Sequence, residues 1–547
     1  MKFVRFSLIL SIATLGSFSS RAEQKQSPPA EPASVLPGRP DEHATTKPTS
    51  IVGLGPTFES AAAGITFKPP ANSKEIRRAV SGDKIVQYVN EDKKWNLRVS
   101  RMLLSKAMPL NKVEDKNGVE TNGMIEYLTA QIQNAIPGAE IKRQDTLNLG
   151  DMPVGMIAVR YQLGLDSLLK QQAVIASGNE GGDGIGGRFA KQYYIFDMTS
   201  PAPKDGPLEG DKNVEEAVNI FGRMIDSVKL LDQTAIIADA NERIIRTRGL
   251  FVNLTPARIK QSLEKEQWLR LIRDGKDIGY SYVVEQEAMD LPRKGIVQEA
   301  TSPESGGVLI GIRSRTIPAE NQQVDAETWM FVTSNRRHEA WQTTGLVQPG
   351  KGAAKETFAE YGASDLKMRS VVDPNLRPGE KTKKGEDKMQ PPVRQIEQYT
   401  LNVTHVASKG AAKPLNKDLS PWYLPQALGH LLPRLVAQYE GKTYLFLTYV
   451  SDSNEVVNRF VDVGFEQDVE LGGHKVRAIP VTDRIGLEGA RTVHYVSPTG
   501  EYLGSVNTDS KITVLATDRT TLEHLWKNAD LSRPKEVEPS TAPAKGE

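Results

Sequence analysis

No cysteine occurs anywhere in this 547-residue chain, and that absence sets the terms on which it folds. Disulfides cannot staple small modules, and thiolate catalysis, Cys-ligated zinc and iron–sulfur clusters are excluded with them. A chain of this kind must rely on hydrophobic cores, so large domains are expected. At the usual scale of about 100–200 residues per domain, the length suits two or three.

The N-terminus points to export. Lys2 and Arg5 precede an apolar run from Phe6 to Phe18, followed by Ser20-Arg21-Ala22 and Glu23. This is the pattern of a secretory signal peptide over residues 1–22, cleaved between Ala22 and Glu23. The run is shorter than the roughly 20 residues that span a bilayer, and no second run of that length follows. The mature chain is expected to be soluble, bacterial, and periplasmic or secreted, with no transmembrane segment. Of 69 Lys+Arg and 68 Asp+Glu, cleavage removes Lys2, Arg5 and Arg21, leaving 66 against 68. A nearly neutral protein has no global field to attract nucleic acid or an anionic membrane surface, so no nucleic-acid partner is expected.

Residues 23–62 are rich in Pro, Ser, Thr, Ala and Glu and read as a disordered linker; 531–547 read as a disordered tail. A flexible insert is expected at about 348–392, with Thr357–Val372 able to form a short ordered element inside it. Between Ile65 and Asp232 the pattern is mixed. Strands are expected at 65–68, 85–89, 95–104, 141–149, 154–163 and 193–198, with period-2 alternation clearest at Trp95, Leu97 and Val99. One helix is predicted over 123–136, stopped by Pro137-Gly138. A second opens at Asn213 with Glu216 three residues on and carries Val214, Ala217, Phe221, Met224 and Val228 as its stripe.

This order, opening on Ile65-Thr66-Phe67-Lys68-Pro69 and closing on the helix of Asn213–Leu230, resembles the PsbP-like α/β/α sandwich over residues 63–232. The resemblance implies a fold and no catalytic motif. A helical connector, 233–267, follows, its Thr255-Pro256 pair starting a short helix through Glu266. From 268 to 530 strands dominate. Asp274-Gly275 between two apolar-patterned runs marks a hairpin. A helix over 423–439 carries Leu424, Leu428, Leu431, Leu432 and Leu435 and contains Pro433. The fold class is therefore α+β: an α/β sandwich with an antiparallel sheet, then a large curved antiparallel sheet with one or two helices. The second part is similar in layout to the LolA-type periplasmic lipoprotein carriers.

Motifs for chemistry are thin. The Gly-rich run 178–188 contains GxGxxG spacing at Gly182, Gly184 and Gly187, yet it leads into a strand rather than a helix. Ser167-Leu-Leu-Lys170 matches Ser-x-x-Lys, as do four other serines, without a Lys-Thr-Gly companion. His338-Glu339 begins like a zinc-protease helix, but Gln342 stands where the second histidine belongs; His474 and His494 are a candidate cross-strand pair. Arg243, Arg246, Arg248, Arg258 and Lys260 form the densest basic cluster, either a docking patch for an acidic partner or lipid headgroup, or a solvated helix face.

No catalytic, cofactor or metal residues are assigned. The five leucines 424, 428, 431, 432 and 435 are candidate lining for an apolar ligand. The expected role is an exported, non-catalytic envelope protein that binds a lipid or other apolar ligand, or assists an envelope complex through a protein partner. The alternatives are a hydrolase whose carboxylates meet only in three dimensions and a structural interaction module using an exposed sheet edge.

Overall fold

The computed structural model describes residues 53–527 except 77–83, 105–107, 115–119, 151, 178–190, 205, 293–305, 318–321, 349–353, 373–392, 408–409, 412–413 and 452. The signal-peptide residues, Ala22 and Glu23 included, and the Gly-rich run therefore lie outside the described residues.

The first unit is built on a seven-stranded antiparallel sheet. Its order is Lys74–Glu75, Lys84–Asn90, Trp95–Leu104, Lys191–Pro201, Asp166–Ala176, Met152–Leu163 and Glu140–Leu149. Successive side chains of a strand face opposite ways, and both faces are apolar. Helix α1 (Met124–Ala135) buries Met124, Ile125, Leu128 and Ile132 against Ile157, Val159, Tyr193 and Ile195. Helix α2 (Lys212–Asp226) buries Ala217, Ile220, Phe221 and Met224 against Trp95, Leu97, Phe196 and Met198 on the other face. The result is the α/β/α layering expected for this region. The α2 cap differs from the sequence reading: Asp211, not Asn213, is the N-cap, accepting the N–H groups of Asn213 and Val214 at 3.0 Å. Order also begins inside the predicted linker, because Phe58–Ser60 pairs with Ile65–Phe67, which pairs with Lys229–Leu230.

Helix α3 (Gln233–Asn253) and the short helix α4 (Pro256–Gln261) lead to the second unit. There, Glu266–Arg273 pairs on one side with Lys276–Ala288 and on the other with Ile512–Thr517, near the end of the described chain. Asp274 and Gly275 both take positive φ, 48° and 73°, as a two-residue hairpin turn with the right twist requires. In one direction the sheet continues through Gly307–Thr316, Gln323–Thr333, His338–Gln348, Glu356–Val372 and Val393–Ala407. In the other it continues through Tyr502–Asn507, Arg491–Val496, His474–Ile485, Glu455–Val463 and Thr443–Val450. Glu356–Val372 coincides with the ordered element expected at Thr357–Val372 inside the 348–392 insert. It is a 17-residue strand, paired with His338–Gln348 from Glu356 to Asp365 and with Val393–Ala407 from Phe358 to Val372, and the lysine-rich stretch after it disguised its alternation.

The two ends of this curved sheet nearly meet. Leu415–Leu419 pairs with the Val393–Ala407 strand, and a few residues on Leu424 N–H donates to Leu447 O at 2.7 Å while Leu447 N–H donates to Trp422 O at 3.2 Å. The tight curl brings rings over backbone: a Cβ at Gly362 would lie 1.9 Å from the Trp341 ring across the ladder, so only glycine fits there. Directly after the seam, helix α5 (Gln426–Ala437) runs into the interior. Ile310, Ile312, Trp341, Leu401, Phe446, Val461 and Val481 surround it, so the inside is apolar, the reverse of the polar lumen of transmembrane barrels.

Candidate functional site

Helix α5 is the only helix among those described that lies inside the barrel-like sheet, and the buried ion pairs Glu285–Arg434 and Asp483–Arg459 are arranged around it. Leu424, Leu428, Leu431, Leu432 and Leu435 are each at most 2 % exposed and belong to the main core. They point into the surrounding strands and none lines the cavity described below. The stripe read as ligand lining is packed as core.

The polar face of α5 carries His430 and Arg434, one turn apart. Both reach Glu285, on the Lys276–Ala288 strand. His430 Nε2 lies 2.9 Å from Glu285 Oε1, Arg434 donates to the same oxygen, and Gln267 Nε2 donates to it at 3.0 Å. Glu264 N–H donates to Glu285 Oε2 at 2.7 Å, and the Glu264 carboxylate sits 3.4 Å from Arg434 Nη1. Burial pushes the Glu285 carboxyl up, but the His430 hydrogen bond and the Arg434 charge outweigh it and hold it below its ordinary value. Burial wins at Glu264, which is raised despite Arg434.

A second ion pair lies beside the first. Arg459 Nη2 donates to Asp483 Oδ2 at 2.5 Å and to Gly429 O of α5 at 3.2 Å. Burial raises Asp483, and Arg459 more than reverses that. His494, 1 % exposed, has Nε2 3.8 Å from Asp483 and without a hydrogen bond. It does not meet His474: His494 registers with Val481, whereas His474 sits at the far end of that strand, opposite Leu471. Gln267, Leu269, His430, Pro433, Arg434, His494 and Tyr502 enclose a cavity of about 10 Å³, room for about one water.

At the N-terminal end of α5 the chemistry changes. Glu339, 1 % exposed, accepts from Ser364 Oγ and Tyr423 OH at 2.7 Å and from Gln426 N–H, in the first turn of α5, at 2.6 Å. None of these donors carries a charge. Burial therefore dominates and pushes the Glu339 carboxyl up to about 7 against the opposing hydrogen bonds. Nearby, Glu360 accepts from Trp341 Nε1 at 2.6 Å and from Ser451 Oγ, with Tyr449 OH at 3.2 Å and His405 at 3.5 Å. This cluster ties the Val393–Ala407 strand to Thr443–Val450 across the seam, where no ladder joins them.

The remaining motifs separate. His338 and Glu339 lie on a strand and face opposite sides, so the zinc-helix reading fails; His338 contacts Asp365 at 2.9 Å. Ser167 donates to Pro203 O at 3.0 Å, while Lys170 pairs with Asp197 at 2.5 Å. The basic cluster is neither docking patch nor free face. Arg243 bridges Asp239 and Asp462, Arg246 binds Glu242 and Thr443, and Lys260 pairs with Glu287. Arg248 lies over Trp422 at 5.5 Å and Arg258 over Tyr439 at 4.6 Å. These contacts clamp α3 and α4 to the barrel wall. Thr247 Oγ1, donating to Leu445 O at 2.9 Å, does the same. Trp422, Leu445, Phe460 and Leu487 then join Ala240 and Ile244 in the core of the first unit.

The part sequence reasoning missed is Glu339 and Glu285 as helix anchors. Parity was the available signal for Glu339, which alternates inward with Trp341 and Thr343.

No family model and no curated protein matches the sequence. Among solved structures, the chain is similar to cyanobacterial PsbP from Synechocystis sp. PCC 6803, at 12% identity over 34% of this chain and 97% of that one, TM-score 0.23. It is similar to a β-barrel-like protein with a domain of unknown function, DUF1849, from Brucella abortus, at 13% identity over 46% and 93%, TM-score 0.26. A Bacteroides thetaiotaomicron protein overlaps it at 13% identity over 42% and 86%, TM-score 0.19. The resemblance to LolA-type carriers gains nothing from these three.

Proposed function

We propose that the protein is an exported accessory protein of the bacterial cell envelope that acts by holding a protein partner and not by catalysis. The observation that supports this is how the interior is used. Helix α5 fills the barrel with four buried leucines, and the buried ion pairs Glu285–Arg434 and Asp483–Arg459 hold it there. Glu264 and Glu285, the nearest approach to the carboxylate pair a hydrolase would use, are bridged by Arg434 beside a water-sized cavity. A surface role is left, and the clamped helices α3 and α4 give it one rigid body to work from. Carriage of an apolar ligand, the other role the sequence allows, requires α5 to leave the barrel.

The test is native mass spectrometry of the mature chain from Glu23, expressed with its leader and recovered by cell fractionation. The reading predicts export and a mass free of small-molecule adducts. A co-purifying lipid-sized mass contradicts it, as does saturable hydrolysis of envelope substrates.

A further inference from the structure

Helix α3 carries two rows of residues, and the rest of the chain covers only one of them. Ile237, Ala240, Ile244, Thr247 and Phe251, spaced three and four residues apart, form the buried row. A second row keeps the same alternation of three and four: Ala235, Ala238, Glu242, Ile245, Gly249 and Val252. All six are exposed, Ile245 at 48 % and Val252 at 82 %. At 3.6 residues per turn they fall in a stripe about 100° wide. The outward side of a surface helix is ordinarily polar, yet Glu242 is the one polar side chain in this row. The spacing is that of the a and d positions of a coiled coil, a seam made to meet another helix. A Cβ at Gly249 would touch nothing, so the chain's own packing does not call for glycine there, whereas its bare backbone admits a close neighbour.

The charges beside the seam say which helix fits. One flank carries Asp239 and Arg246, a heptad apart, with side chains 56 % and 32 % exposed. A second α3 laid antiparallel, about a two-fold axis between Arg243 and Ile244, sets Ala235 against Val252, Ala238 against Gly249 and Glu242 against Ile245. It also brings Asp239 of each copy beside Arg246 of the other. A parallel copy would stack Glu242 on Glu242 and match neither flanking charge. Within one chain Asp239 holds Arg243 and Arg246 holds Glu242, so the crossing pairs join contacts already made. With 69 basic and 68 acidic residues, two copies carry no global repulsion. Thr247 and the arginine contacts to the barrel wall hold the helix in place beforehand.

We infer that the outward row of α3 is a self-complementary interface, and that its occupant is α3 of a second copy of this chain, packed antiparallel about a two-fold axis. This goes beyond the partner-holding reading above, which does not depend on it.

The test is sedimentation of the mature full-length chain, joined to cysteine cross-linking. The chain is expected to sediment as a dimer that dissociates on dilution. I245E/V252E, which places carboxylates in the seam, is expected to raise the dimer dissociation constant by at least about a hundredfold. Both residues are exposed in the single chain, so its near-ultraviolet circular dichroism should be unchanged. Because the chain has no cysteine, an introduced one is unique. Oxidising a mixture of A238C and G249C chains is expected to join one to the other, and A238C alone to give no product. Antiparallel packing sets the two copies of residue 238 about 16 Å apart along the axis, beyond the reach of a disulfide. This pattern decides the matter even where the double variant fails to fold. A monomer at every concentration overturns the inference, as does a dimer that I245E/V252E leaves intact. Self-linking of A238C overturns it in favour of a parallel pair. A monomer whose binding to phosphatidylglycerol vesicles is lost in I245E/V252E overturns it in favour of a lipid surface. A monomer that still cross-links a different envelope protein sinks the dimer and leaves the partner-holding reading in place.

Discussion

The two ends of helix α5 are buried to the same depth and held by opposite means. Along its body, carboxylates face guanidinium cations: Glu285 meets Arg434, and Asp483 meets Arg459. At its start, Glu339 meets two hydroxyls and an amide. The countercharge keeps the first two carboxyls ionised and below their ordinary values, and its absence lifts the third to about 7. Burial alone therefore does not decide how a carboxyl titrates; the charge of its partner does. The consequence is that one helix is sensitive to pH from both sides.

Breaking an ion pair gives the largest effect. Arg459→Met leaves Asp483 buried without its cation and is expected to cost about 3–5 kcal/mol in urea unfolding. A loss under about 1 kcal/mol would mean that the Arg459 charge is not what holds Asp483 in the fold. Leu431→Ala, in the shared core between the two ends, is expected to cost about 2–5 kcal/mol through the cavity it leaves. Because Leu431 is fully buried, a neutral result would show that the helix is loosely seated.

The pH dependence sharpens the contrast. Glu339 is raised in the fold, so its contribution is complete below the ordinary carboxyl value and lost as pH rises through about 7. Glu285 and Asp483 are lowered, so theirs is present above the ordinary value and lost as pH falls through their depressed folded values. Glu339→Gln can accept from Gln426 N–H and donate to the oxygens of Ser364 and Tyr423. It is expected to flatten the fall in stability between pH 5 and 8 and to raise stability at pH 8 by up to about 3 kcal/mol. An unchanged slope would place the titration elsewhere. The smallest effect is expected outside the barrel: Arg243→Ala breaks a partly exposed contact with Asp462 and should cost about 1 kcal/mol or less in thermal melts.

The sequence made some of this visible. Helix α1 and the Asp274-Gly275 hairpin announce themselves because their stop signals and periodicity agree with the tertiary outcome. The strand Asp166–Ala176 does not. It sits mid-sheet, buried on both sides with even Gln171 and Gln172 inside, so it shows no alternation to read. Helix α5 is legible as a helix, whereas its place inside the sheet is not. Its leucines give the same stripe whether they line a cavity or fill one, and only strands from 266 to 517 closing around them decide. Likewise Arg243 to Lys260 read as a free basic cluster because Asp462 and Glu287 are distant in sequence.

The central claim is that α5 is a permanent part of the barrel's core. Native-state hydrogen exchange of the amides of residues 430–432 and 434–437, followed across sub-denaturing urea, tests it most directly. The account predicts that these amides exchange only through global unfolding, with free energies that fall along the full denaturant slope. Exchange at low free energy that ignores urea would show α5 swinging out locally, and the barrel would then be a container with a movable plug.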